Sequence, residues 1–78
     1  MNFDEFRRGL ERDLGLEVWG SHDSLNGALY LALHEPGPMC NSMMVLPMPA
    51  NAFTEELRHE AGRALATQAK HLRMVRVH

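Results

Sequence analysis

The stretch GALYLALHE, residues 27–35, decides the fold. Leu29, Leu31 and Leu33 alternate with Ala28, Tyr30, Ala32 and His34, so one side is uniformly aliphatic and the other mixed. A period of two is that of a half-buried β-strand, because successive side chains leave a strand on opposite faces. Such a strand needs partners beside it and a layer to cover its leucines.

Partners are legible on both sides. Upstream, Leu16, Val18 and Trp19 make a short first strand, and SHDSLNG (21–27) is turn chemistry with Asn26-Gly27 as a two-residue hairpin turn. Downstream, Pro36-Gly37-Pro38 forces a second reversal. Met43 to Leu46 then form a third strand, ended by Pro47. Strand alternation separates Met43 from Met44 and puts Met44, Leu46 and Met48 on one face as core filler. Leu72 to Val77 reads as a fourth strand.

The covering layer comes from two helices. Phe3, Phe6, Leu10 and Leu14 recur at helical spacing over residues 3–14. Asn2 is placed as N-cap with Glu5 in the capping-box position, and Gly15 as the left-handed stop. Asp4 with Arg8 and Arg7 with Glu11 are i,i+4 ion pairs. The second helix is expected from Ala52 to Ala69 or Lys70, capped by Asn51, with Phe53, Leu57, Ala61, Ala64, Leu65 and Ala69 as its stripe. Glu56 and Glu60 are expected to pair with Arg63. Gly62 weakens that helix by about 1 kcal/mol or marks a close approach. The expected architecture is α+β in the order α-β-β-β-α-β, an antiparallel sheet of about four strands with two helices packed on one face. It forms one compact domain over residues 1–78.

Composition narrows the function. The formal net charge is −2, from 8 basic and 10 acidic residues, too balanced for a broad nucleic-acid-binding surface. That balance is unevenly spread. Residues 1–35 carry seven acids and three bases, whereas residues 55–78 carry three acids and five bases. Residues 36–54, PGPMCNSMMVLPMPANAFT, have no charged side chain and hold all 4 prolines and four of the 6 methionines. The single cysteine, Cys40, cannot form an internal disulfide and points to a reducing, cytoplasmic setting. No apolar run approaches the ~18 residues of a membrane span, and no secretory signal opens the chain.

Motifs for chemistry are missing. The five histidines are scattered without metal-ligand spacing, so no metal or other cofactor is expected. His34-Glu35 near Pro38 and Cys40 lacks the spacing and second cysteine of a zinc deaminase, and His59-Glu60 lacks the closing histidine of a zincin. The chain therefore reads as no enzyme; a Cys40-centred site would be the catalytic alternative. An α-β-β-β-α order is also that of double-stranded-RNA-binding domains, but the second helix begins Glu55-Glu56 where such domains place lysines. Nucleic acid is disfavoured as a direct ligand, and a small nucleic-acid-associated protein using the basic C-terminal third is kept as an alternative.

What remains is a surface for protein. Trp19 and Tyr30 alternate opposite inward residues, which points to an exposed aromatic sheet face, the alternative being a small sheet that wraps Trp19 into its core. Met39 and Met48 belong to the uncharged segment, and Arg58, Arg63, Arg73 and Arg76 supply bidentate anchors. These eight are the expected partner-binding residues. From FDEFRRGLERDLGL through GALYLALHE to MMVLPMP, residues 3–48, the pattern resembles the opening of type III secretion chaperones, which implies a dimer binding an effector segment. In size and lack of motifs the chain is similar to small phage-encoded inhibitors of bacterial defence complexes, such as anti-CRISPR proteins. The favoured expectation is a steric inhibitor of a larger host protein or protein complex, as a monomer or homodimer, without catalysis and without a membrane.

Overall fold

A computed structural model of the chain describes residues 1–34 and 43–71. The described elements run α1 (Phe3–Leu14), β1 (Val18–Asp23), β2 (Ala28–Leu33), β3 (Met43–Pro47) and α2 (Glu55–His71). Among the described residues the sheet has three antiparallel strands in the order β1-β2-β3. The fold is α+β, with three strands where about four were expected. The expected strand at residues 72–77 lies outside the described residues.

Helix α1 forms as its sequence dictates. The Asn2 side chain accepts from the Glu5 amide at 2.8 Å, and the Glu5 carboxylate accepts from the Asn2 amide at 3.1 Å. Gly15 ends the helix at φ 67°, its N–H donating to the Glu11 carbonyl. Arg7 pairs with Glu11 at 2.8 Å and Arg8 with Asp4 at 3.1 Å. Phe6, Leu10 and Leu14 are buried.

Strand β1 is longer than expected and the hairpin loop wider. Trp19 faces Ala32 and Asp23 faces Ala28, leaving residues 24–27 as a four-residue loop in place of a two-residue Asn26-Gly27 turn. The cause is Asp23. Its carboxylate accepts from the amides of Leu25 and Asn26 and from the Asn26 side chain at 2.7 Å, which fixes the loop one step before Asn26-Gly27. Gly27 then returns the chain at φ 61°.

Helix α2 also departs from expectation. It starts at Glu55, with the Thr54 hydroxyl accepting from the Leu57 amide at 3.1 Å. Asn51 is not its cap. It takes φ 50°, donates from Nδ2 to the Ser24 carbonyl and lies 3.4 Å from His22 Nε2, tying the β3–α2 connection to the hairpin loop. Phe53 consequently precedes the helix and packs against Phe3, Phe6 and His22, with ring centroids 5.8, 5.3 and 5.0 Å apart.

Both helices cover the sheet face that carries Leu29, Leu31 and Leu33, each fully buried. Val18, Leu57, Ala61, Leu65 and Ala69 complete that core, with Met44 and Leu46 packed at its border. The sheet's two edges differ. At β1 the Val18 amide donates to Glu11 at 2.9 Å and the Val18 carbonyl accepts from Arg7 at 3.3 Å, so α1 engages that edge at Val18, while the register turns the backbone groups of Gly20 and His22 outward beyond it. At β3 the register, with the Met48 amide bonded to the Gly27 carbonyl, turns the backbone groups of Met44 and Leu46 toward β2. Those of Met43 and Val45 therefore point outward, where no strand follows among the described residues.

Candidate protein interface

The strand register fixes what the sheet shows on its outer side. Trp19, Ala32 and Met43 form one cross-strand row, and Ser21, Tyr30 and Val45 the next. No helix among the described residues covers these rows. Trp19 is 52% exposed, Met43 62% and Val45 56%, while Tyr30 is half-buried and Ala32 lies beneath its neighbours. Trp19 stands on one edge strand and Met43 and Val45 on the other, with Ala32 and Tyr30 of β2 between them, so the large exposed apolar side chains share one face of the sheet.

Trp19 is held in place before any partner arrives. Its indole stacks on the His34 ring, with centroids 4.1 Å apart and planes 11° from parallel. Its Nε1 donates to the Glu17 carboxylate at 3.2 Å, and the other Glu17 oxygen lies 3.8 Å from His34 Nε2. The His34 amide in turn donates to the Glu17 carbonyl. Glu17 and His34 thus brace the indole from two sides, which reduces the rotamer freedom it would lose on contact.

The eight residues expected to bind a partner separate in the structure. Trp19 and Tyr30 share the outer face, as the alternation required. Met48 does not reach a surface: at 3% exposure it belongs to the core, because its amide still pairs with Gly27 at the end of the β2–β3 ladder and its side chain falls on the inner side. Arg58 is pinned between α1 and α2, bonded to Asp13 and, at 2.7 Å, to Glu55. The hydrogen bond to Glu55 and the Asp13 charge hold its guanidinium pKa above the ordinary value, and the same bond holds the Glu55 carboxyl below its own. It serves as a helix–helix clamp. Arg63 is exposed and makes no ion pair among the described residues, so the expected pairing with Glu56 and Glu60 does not form there. Met39, Arg73 and Arg76 lie outside the described residues, as does Cys40.

Three members of the face were not singled out from the sequence. Met43 and Val45 carried a signal, since the alternation that sends Met44 and Leu46 inward must send them outward. His34 carried none, because its stack depends on a cross-strand diagonal. Among the described residues no group of three His, Cys, Asp or Glu side chains could hold a metal ion, and no helix is long and apolar enough to cross a membrane. In comparisons with protein families, curated proteins and solved structures, no match to this chain was found.

Proposed function

We propose that the chain is a non-enzymatic protein-binding module that acts sterically, its outer sheet face docking on a larger protein or protein complex and masking a site there. The observation that carries this reading is the braced, half-exposed Trp19 among Met43, Val45 and Tyr30. Rigidly held aromatic side chains are a common source of binding energy in protein interfaces.

The size of the face favours a larger, concave partner over a second copy. Three strands of five or six residues span a footprint of about 300 Å² at the ordinary strand rise and spacing. A stable interface buries about 800 Å² on each side. Two copies stacked face to face would fall well short, whereas a concave partner can also reach the hairpin loop and the β3–α2 connection. A compact inhibitor works in this way, and the reading agrees with the size-class similarity to phage-encoded inhibitors. A nucleic-acid role finds less support. The described order is α-β-β-β-α, but Glu55 and Glu56 occupy the start of α2, where they would repel phosphate.

The test begins with affinity capture on the immobilised chain and continues with the purified partner. Trp19→Ala is expected to weaken binding by about a hundredfold, the scale of a hot-spot truncation. Its melting temperature should stay near the parent's, because the indole lies outside the core. Val45→Asp should act in the same direction. A partner that binds both variants as tightly as the parent chain would overturn the reading.

A further inference from the structure

We propose that a second surface, the groove between the C-terminal end of α1 and the flank of α2, receives an acidic amphipathic segment of a protein partner. The groove encloses about 460 Å³. Leu14, Leu16, Ala66 and Ala69 provide its apolar lining, and Arg63 and Lys70 stand on its rim. It belongs to the helical layer, away from the outer sheet face, and stands independently of the reading given for that face.

Charge decides the occupant. Arg63 and Lys70 are two helical turns apart, about 10 Å along the axis, with Ala66 between them. Neither makes an ion pair among the described residues. The other charges on the lining, Arg58 and Asp13, are bonded to one another, and Arg58 is bonded to Glu55 as well. His59 continues the same flank one turn before Arg63. The groove therefore offers two cations without an ion pair among the described residues, beside an apolar trough. A helix that lays apolar residues into the trough and sets carboxylates two turns apart meets both. Gly62, Ala66 and Ala69 are small enough for a helix backbone to come close. The chain's own residues 72–78 could supply apolar side chains to the trough but no carboxylate side chain to the two cations, since they carry Arg73 and Arg76 and no Asp or Glu.

The proposal is tested by titrating the isotope-labelled full chain with a synthetic amphipathic peptide about four helical turns long, leucines on one face and glutamates two turns apart beside them. A control peptide carries lysines in place of the glutamates. Amide shifts are expected to cluster at Gly62, Ala66 and Ala69 and to saturate. The lysine peptide should bind at least about tenfold more weakly, a difference of about 1.4 kcal/mol. The double variant Arg63→Glu, Lys70→Glu should reverse the preference, and both residues are exposed enough for the fold to persist. Rising salt should weaken the glutamate peptide. Equal affinity for the two peptides, shifts at Trp19 and Val45 instead, or no shifts up to millimolar peptide would overturn the proposal. Contacts from residues 72–78 to Leu16 and Ala66 that survive saturating peptide would assign the groove to the chain's own end and overturn it too. Shifts confined to the groove leave the sheet-face reading to its own test.

Discussion

At Gly20 an added methyl group would collide with the Tyr30 carbonyl oxygen and come within 2.9 Å of Leu31 Cδ2. The backbone oxygen cannot step aside without disturbing the β1–β2 ladder. Gly20→Ala is therefore expected to cost about 1–3 kcal/mol, read as a lower urea midpoint. Gly62 is the opposite case. A methyl there meets only Leu10 Cδ2, at an ordinary 3.7 Å, and α2 gains a better helix former. Gly62→Ala should stabilise by about 1 kcal/mol, which the same titration checks. Carboxylates add a pH dependence of known sign. Asp23 has its pKa lowered, first by the Asn26 side-chain hydrogen bond, and Glu55 has its own lowered, first by Arg58. A carboxyl depressed in the folded state contributes stability above its unfolded pKa and loses it as pH falls through the folded one. Melting temperature should thus fall below about pH 4, and Glu55→Gln should shrink that fall while lowering stability at neutral pH.

At the scale of elements, local chemistry explains both what the sequence made plain and what it concealed. Helix α1 was legible to the residue because cap, ion pairs and stop all lie within its own span: Asn2, Glu5, Arg7 and Gly15 need no neighbour. The start of α2 was not, because Asn51 is a good cap by type but is engaged by Ser24 and His22, far away in sequence. That contact transfers the cap to Thr54 and releases Phe53 to the α1 aromatic cluster. Thr54→Ala should accordingly cost about 1 kcal/mol through the helix terminus. Asn51→Gly, which keeps the positive φ and removes both side-chain contacts, should leave α2 helicity intact and loosen the hairpin loop. Circular dichroism and amide exchange separate these outcomes. The hairpin follows the same logic, since the Asp23 carboxylate outcompeted the Asn26-Gly27 dipeptide for the turn. Of the candidate face, Trp19 and Tyr30 were readable from alternation alone. The clamp role of Arg58 was not, because it depends on Asp13 arriving from another helix.

For the whole molecule, the segregation of charge along the sequence becomes a segregation in space. The neutral stretch contributes β3 to the sheet, while the basic end contributes Arg63 and Lys70 to the groove. The two edges of the sheet set a further rule. A sheet that grows without limit needs each copy to accept a strand on both sides, a valence of two. Here the Arg7–Glu11 pair caps Val18 on one edge, but the register turns the backbone groups of Gly20 and His22 outward on that same strand, as it does those of Met43 and Val45 on the other. The ion pair shortens that edge without closing it. Replacing Arg7 and Glu11 together by alanine would lengthen that open edge by one residue, Val18, and light scattering at rising concentration should then show more association than in the parent chain. The ion pair on the helix flank in this sense sets how much of the edge a neighbouring strand could grip.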